Sequence, residues 1–223
     1  MPFYTAMLLT PFVSLLCDFL YGFMVCIVKW LVVGRYKRGN YPFYGMMHYK
    51  WVMMFIAEYS MHDFIQTIHG TIFANFYYIA MGANIGINSC MLGTCIMEAD
   101  LITVENQVSI GRGVVLAAHS IENMLMKLAP ARYLHGSTVR NMSHIFLGST
   151  MEARSTLLEN SVVLKGETIP EGECWSGLPA GPVVSEPSNT GSNICTNGKK
   201  DQDMFFKKIE QKQSIIWLKP KGE

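Results

Sequence analysis

The sequence predicts a mainly β chain: a left-handed parallel β-helix of hexapeptide repeats over residues 81–183, preceded by an N-terminal segment of membrane helix. Three observations carry that prediction. Every sixth residue from Val139 is apolar, through Ile145, Met151, Leu157, Val163, Ile169 and Trp175. A small residue follows four positions after each of the first four, at Ser143, Ser149, Ser155 and Ser161. The stretch from Met7 to Val33 is apolar almost throughout.

Residues 1–38 form the first segment. The run MLLTPFVSLLCDFLYGFMVCIVKWLVV exceeds the roughly 20 residues that cross a hydrocarbon core. No basic region precedes it and no small-residue cleavage site closes it, so it reads as a retained span rather than a secretory signal; a buried hairpin or core helix is the competing reading. Pro11 and Asp18 interrupt it. Asp18 must face protein or water, and Lys29 near the end is expected to snorkel to the interface. The basic flank Arg35, Lys37 and Arg38 places the rest of the chain, β-helix included, on the cytoplasmic side of the membrane. Residues 39–80 hold a second apolar block, WVMMFIA, too short to span and read as interfacial or re-entrant.

A period of six belongs neither to an α-helix nor to an ordinary hairpin sheet. A coil of three short flat strands generates it, with the aliphatic residue pointing into a prism and the small residue fitting at the corner. No coil buries its apolar face alone, so stacked neighbours supply the core. A second block in the same period is Val104, Ile110 and Leu116, followed four positions on by Val108, Val114 and Ser120, while Ile85 and Gly86 form an earlier coil one residue out of phase. Residues 121–138 do not keep the period and are expected to project as a loop insertion, the kind of place where sites are built. Residues 184–223 read as a polar linker and a short C-terminal segment.

Composition narrows the function. Half of the 223 residues are hydrophobic, 16% are charged, and the formal net charge is +1, so no positive field gathers nucleic acid. The six cysteines are scattered without a C-x-x-C pair, which reads as free thiols in a reducing compartment.

Three pieces of sequence then carry a resemblance: the start at Ile85 and Gly86, the run VSIGRGVVLAAHS from Val108 to Ser120, and the ending KGETIPEGECWSGLPAGPV from Lys165 to Val183, with its turn Gly177, Leu178, Pro179 and Ala180. Residues 82–183 resemble the hexapeptide-repeat acyltransferases. With Gly70 and Thr71 and the GAxIG start from Gly82 to Gly86, the front end is similar more narrowly to the membrane-attached C-terminal module of polylysine-synthetase-like nonribosomal peptide synthetases. The resemblance implies an acyltransferase, with acetyl-CoA or another acyl thioester, on coenzyme A or a carrier protein, as co-substrate and no bound cofactor. It also implies a small-molecule or peptide acceptor, and trimeric packing or a larger synthetase partner.

An acceptor hydroxyl or amine must lose a proton to attack a thioester, and histidine suits that task near neutrality. His119 stands at the family's catalytic place by resemblance, as general base. Glu122, three residues on, either orients the imidazole or only solvates the loop. By resemblance, coenzyme A would pass Trp175, Ser176, Gly177, Pro179 and Ala180; Gly177 permits close backbone approach, while Trp175 also continues the inward register and has an equal reading as the plug of the prism. Two competing readings remain: a non-catalytic β-helix that anchors or assembles a biosynthetic complex at a membrane, and a zinc carbonic anhydrase on the same scaffold. The second needs a ligand trio, and His119, His135 and His144 lack the required close pair. No metal site is expected.

Overall fold

A computed structural model describes residues 2–86 and 88–183, and the linker and terminal segment expected over 184–223 lie outside them. Helix α1, Pro2–Val32, is followed by strand β1, Gly39–Pro42, and helices α2, Met46–Ser60, α3, His62–Ile68, and α4, Ile72–Ala80. Within α1, Met7–Val32 has a mean hydropathy of 2.0 and is the one helix, among the described residues, long and apolar enough to cross a membrane. Leu8, Phe12, Leu16 and Phe23 stand exposed along it.

The C-terminal half of α1 is fastened to the short helices. Phe19 meets Phe64 edge-on at 5.1 Å between ring centres, and the Trp30 indole donates to the Ala80 carbonyl at 2.8 Å. Lys29 does not snorkel. It is 1% exposed and pairs with Asp100 at 2.8 Å, because the chain curls back and brings a carboxylate to it before any interface is reached. The Tyr36 N–H donates to the same carboxylate at 3.0 Å, and Gly82, at φ 109°, leaves the space the pair occupies.

The β-helix follows. Its first coil is β2, Asn84–Ile85, β3, Cys90–Met91, and β4, Cys95–Ile96; a 3-10 turn, Ala99–Leu101, leads to the second, β5, Ile102–Val104, β6, Ser109–Ile110, and β7, Val115–Leu116. The chain then leaves the prism as a hairpin, β8, His119–Glu122, and β9, Leu125–Leu128. It returns for β10, Ala131–Tyr133, β11, Thr138–Val139, and β12, His144–Ile145; then β13, Thr150–Met151, β14, Thr156–Leu157, and β15, Val162–Val163; then β16, Thr168–Ile169, and β17, Cys174–Gly177. Strand β18, Ala180–Pro182, folds back antiparallel on β17. The stacked strands form three parallel faces, β2-β5-β10-β13-β16, β3-β6-β11-β14-β17 and β4-β7-β12-β15.

The predicted inward column holds: from Val139 to Ile169 each member is at most 1% exposed, as are Ser143, Ser149, Ser155 and Ser161. A further regularity sits at the corners, three residues after an inward residue. There the backbone is left-handed at Gln107, Gly113, Gly136, Met142, Gly148, Arg154, Asn160, Gly166 and Gly172. Glycine and asparagine tolerate that conformation, whereas side chains such as Met142 and Arg154 do so at a cost.

One irregularity is explained and two expectations change. Ile85 is out of phase because the inward positions Ile85, Met91, Ile96 and Val104 are spaced six, five and eight apart, the last step holding the 3-10 turn. The insertion is also shorter than residues 121–138. Tyr133 already aligns with Val104 on one side and Met151 on the other, so the coil resumes at Ala131, and what projects is an ordered hairpin rather than a loop. Asn123 and Met124, both at positive φ, make its two-residue turn, a conformation suited to the right-handed twist of the strands. Strand β1 pairs antiparallel with β9 and pins the hairpin to the chain leaving α1. Cys17, Cys26, Cys90 and Cys95 are free thiols, but Cys174 is disulfide-bonded, so the expectation of free thiols throughout fails there.

Candidate active site

His119 opens β8, directly after the chain leaves the prism. Its ring is 19% exposed, and Nδ1 lies 2.8 Å from Oε1 of Glu98, which is wholly buried; the ring N–H is turned off the straight line of that contact. The same Oε1 accepts from the Trp51 indole N–H at 2.6 Å, and Oε2 accepts from the Ala118 N–H at 3.2 Å. The Trp51 ring lies 4.9 Å from the imidazole at 55°. Glu98 thus holds the ring through one nitrogen and leaves Nε2 as the nitrogen available to take a proton. Three parts of the chain build this arrangement: α2 brings Trp51, the corner after β4 brings Glu98, and β8 brings His119.

Glu122 does not orient the imidazole. Two residues along an extended strand repeat a face, so Glu122 shares its face with Ser120 and lies opposite His119. Its carboxylate pairs with Lys127, at 3.1 Å, and with Lys165. These groups line a cleft of about 520 Å³ between the hairpin and the later coils, together with Arg38, Arg132, Gly148 and Gly166. Four cations face one carboxylate there, and the buried Ser120 hydroxyl has no hydrogen-bond partner. That chemistry suits phosphate oxygens.

Trp175, Ser176 and Gly177 lie on β17 and Ala180 on β18, closing the β3-β6-β11-β14-β17 face. Trp175 follows Leu157 in the column and packs on the core, its indole donating to Glu173 at 2.8 Å. The Gly177 N–H donates to Ser161 Oγ at 3.1 Å, Pro179 is exposed, and Ala180 is 7% exposed. Within one chain these five residues belong neither to the His119 arrangement nor to the lining of the basic cleft.

His135 sits at a corner, its backbone N–H donating to Glu105, and His144 is exposed on β12. Among the described residues no three His, Cys, Asp or Glu side chains gather as a metal-binding group. The positions missed by the sequence reading are Glu98 and Trp51. Glu98 lies where the six-residue period breaks, and Trp51 lies in a block whose composition signalled only a membrane surface.

No family model matches the chain. Over 175 residues, 76% of this chain, it is 25% identical to the Delta-poly-L-ornithine synthetase of Acinetobacter baumannii, and it spans 13% of that protein's length. A hexapeptide-repeat acetyltransferase of Vibrio cholerae, solved with acetyl coenzyme A, aligns at 17% identity and a TM-score of 0.45 over 58% of this chain and 87% of that one. A serine acetyltransferase of Brucella abortus, solved with coenzyme A, aligns at 18% identity and a TM-score of 0.38 over 77% of this chain and 71% of that one. The solved structures that it is similar to in fold are hexapeptide-repeat and serine acetyltransferases.

Proposed function

We propose that this chain is a membrane-attached acyltransferase that moves an acyl group from a thioester donor to a hydroxyl or amine acceptor, with His119 as general base. The observation that carries the reading is the His119–Glu98–Trp51 arrangement: a partly exposed imidazole whose second nitrogen faces a buried carboxylate, which is how a base is held in one tautomer and orientation. In the step itself Nε2 takes the proton of the acceptor O–H or N–H as the new O–C or N–C bond forms. The C–S bond breaks, and the imidazolium returns the proton to the departing thiolate. Glu98 stabilises the positive charge that His119 carries in between.

The basic cleft supports a donor that carries phosphate, such as acetyl-CoA or the phosphorylated arm of a carrier protein. Strand alternation puts the cleft and His119 on opposite faces of β8, so the arm of that donor has to pass around the strand edge to bring its thioester to the base. The exposed apolar surface of α1 supports attachment to a membrane, with the basic flank at Arg35, Lys37 and Arg38 favouring a cytoplasmic β-helix. Packing of several copies, or docking to a larger synthetase, would bring the Trp175–Ala180 hairpin of one copy toward the site of another.

The test is thiol release from acetyl-CoA by the full chain in detergent, with a panel of alcohols and amines, comparing the parent with His119→Asn. Loss of turnover in a variant that melts like the parent supports the reading. Absence of both turnover and coenzyme A binding in the parent overturns it in favour of a scaffold.

A further inference from the structure

A second cavity, of about 260 Å³, lies between the short helices and the first coil, and one of its walls, Phe55, stacks on Trp51. Phe55, Tyr59, Tyr77 and Tyr78 supply aromatic walls, and Glu58 supplies a carboxylate. No Lys or Arg lines it. Lys29, whose charge acts on Glu58, is already committed to Asp100.

Its polar groups are short of partners. Glu58 makes no ion pair within 4 Å among the described residues and is only half-buried, the buried Tyr77 and Thr94 hydroxyls lack a hydrogen-bond partner, and the His69 ring has only a poorly aligned contact with the Met91 backbone. Each such group left unsatisfied costs about 1–3 kcal/mol. Two such hydroxyls beside a carboxyl and an under-bonded imidazole on one small cavity do not stabilise an empty core; they line a site that something polar fills. The sign of the occupant follows from the walls. A carboxylate among aromatic faces attracts a cation, since the ring quadrupoles present negative faces.

We infer that this cavity binds a primary ammonium group carried by the acyl acceptor. Burial, with the nearby Glu98 charge as a second cause, holds the Glu58 carboxyl well above the usual carboxylate range. An entering ammonium reverses that balance and draws Glu58 to ionise. His62 and His69 from α3, Cys95 from the first coil and the two α4 tyrosines also face the space, but none of them supplies a fixed negative charge at neutral pH. Trp51 links the cavity to the base: its ring stacks on Phe55 at 5.7 Å and 13° and lies 4.9 Å from His119. The word acceptor rests on the acyl-transfer reading, whereas ammonium binding does not.

The experiment is equilibrium binding of n-butylamine and of 1-butanol to the full chain in detergent, followed by calorimetry and by the Trp51 fluorescence that stacking on Phe55 makes responsive. The amine is expected to bind at least about tenfold more tightly than the alcohol, the size of one charge-assisted hydrogen bond. Glu58→Gln, which keeps the shape, is expected to remove that preference. Equal binding of amine and alcohol by the parent overturns the inference without any variant, and assigns the cavity to water. An undiminished amine preference in Glu58→Gln overturns it also. Thiol release is measured separately. If alcohols are acylated while amines fail to bind, only this inference falls; if amines bind but His119→Asn changes no turnover, only the assignment of the base falls.

Discussion

Replacement of Glu98 by glutamine tests the site at its most constrained atom. The parent carboxylate accepts from two N–H donors and faces a third nitrogen: Oε1 takes the Trp51 indole at 2.6 Å and lies 2.8 Å from the His119 Nδ1, and Oε2 takes the Ala118 N–H at 3.2 Å. Glutamine has the same shape but one acceptor oxygen. With that oxygen toward Trp51 and His119, its NH₂ confronts the Ala118 N–H, and a buried donor goes unpaired at about 1–3 kcal/mol. Turned over, its NH₂ confronts the indole and the imidazole. The imidazole then presents a bare Nδ1 and carries its proton on Nε2, the tautomer that cannot accept one from the acceptor.

Either orientation also removes the charge that stabilises the imidazolium. General-base catalysis is worth about 10²–10⁴ in rate, so kcat/KM for thioester turnover is expected to fall by that factor, about 3–5 kcal/mol. The unpaired donor lowers Tm as well, by about 2–4 °C for each kcal/mol in a chain of this size. Thiol release across the neutral pH range, together with a melting curve, measures both. Retention of kcat/KM within about threefold of the parent, less than 1 kcal/mol, in a variant whose Tm has dropped would show that Glu98 is structural and that His119 is not held for catalysis.

Other predictions follow from the packing. Met142 is left-handed at φ 59° and 60% exposed, so Met142→Gly relieves strain and is expected to raise stability by about 1 kcal/mol, read in urea unfolding; an unchanged midpoint would remove the corner-strain argument. A Cβ at Gly82 runs into the Asp100 carboxyl and toward Lys29 Nζ, so Gly82→Ala parts a buried pair and is expected to cost about 3–5 kcal/mol, whereas a parent-like melt would show the pair to be dispensable. Glu58 has a raised folded-state pKa, so its contribution to stability is present below the ordinary carboxylate value and lost as pH rises through the raised one. Tm is therefore expected to fall on going from acidic to alkaline buffer, and Glu58→Gln to flatten that fall; an equal fall in the variant assigns it to another group. Arg132→Ser in the basic cleft is expected to raise KM for acetyl-CoA about tenfold with kcat little changed, the value of one charged hydrogen bond, and an unchanged KM would take the donor's phosphates elsewhere.

The architecture was legible because it repeats. Val139 to Ile169 at intervals of six, with serines four later, leaves one geometry that buries both sets, and both are buried. The corner signal was partly hidden: glycine marks the left-handed position at Gly113, Gly136 and Gly148, but Gln107, Met142 and Arg154 occupy it too, and no propensity argument places them there. The hairpin turn was masked in the same way, since Met124 stands where glycine would have announced a two-residue turn. Lys29 was misread because an apolar run says nothing about what returns to meet it from 71 residues away. His119 was placed by resemblance, but its partner could not be read, because Glu98 lies in a stretch without period and Glu122 was nearer in sequence.

The departures from the repeat are where this chain puts its chemistry. Between Ile96 and Val104 the inward spacing lengthens to eight, and the extra residues form the corner that carries Glu98 and Asp100. Glu98 turns to Trp51 and His119, and Asp100 turns to Lys29 and the Tyr36 N–H. One irregular corner therefore fixes the imidazole and anchors the end of α1. Strand β1, the next element after α1, pairs with the hairpin that bears His119. A regular coil offers only outward strand positions such as Thr138 and His144, which face away from the prism, and its corners are short. It follows that shortening the 97–101 corner to restore the period should leave the later coils folded while detaching both α1 and the imidazole. The paired loss, of Lys29 burial by lysine reactivity and of thioester turnover, would appear together or not at all.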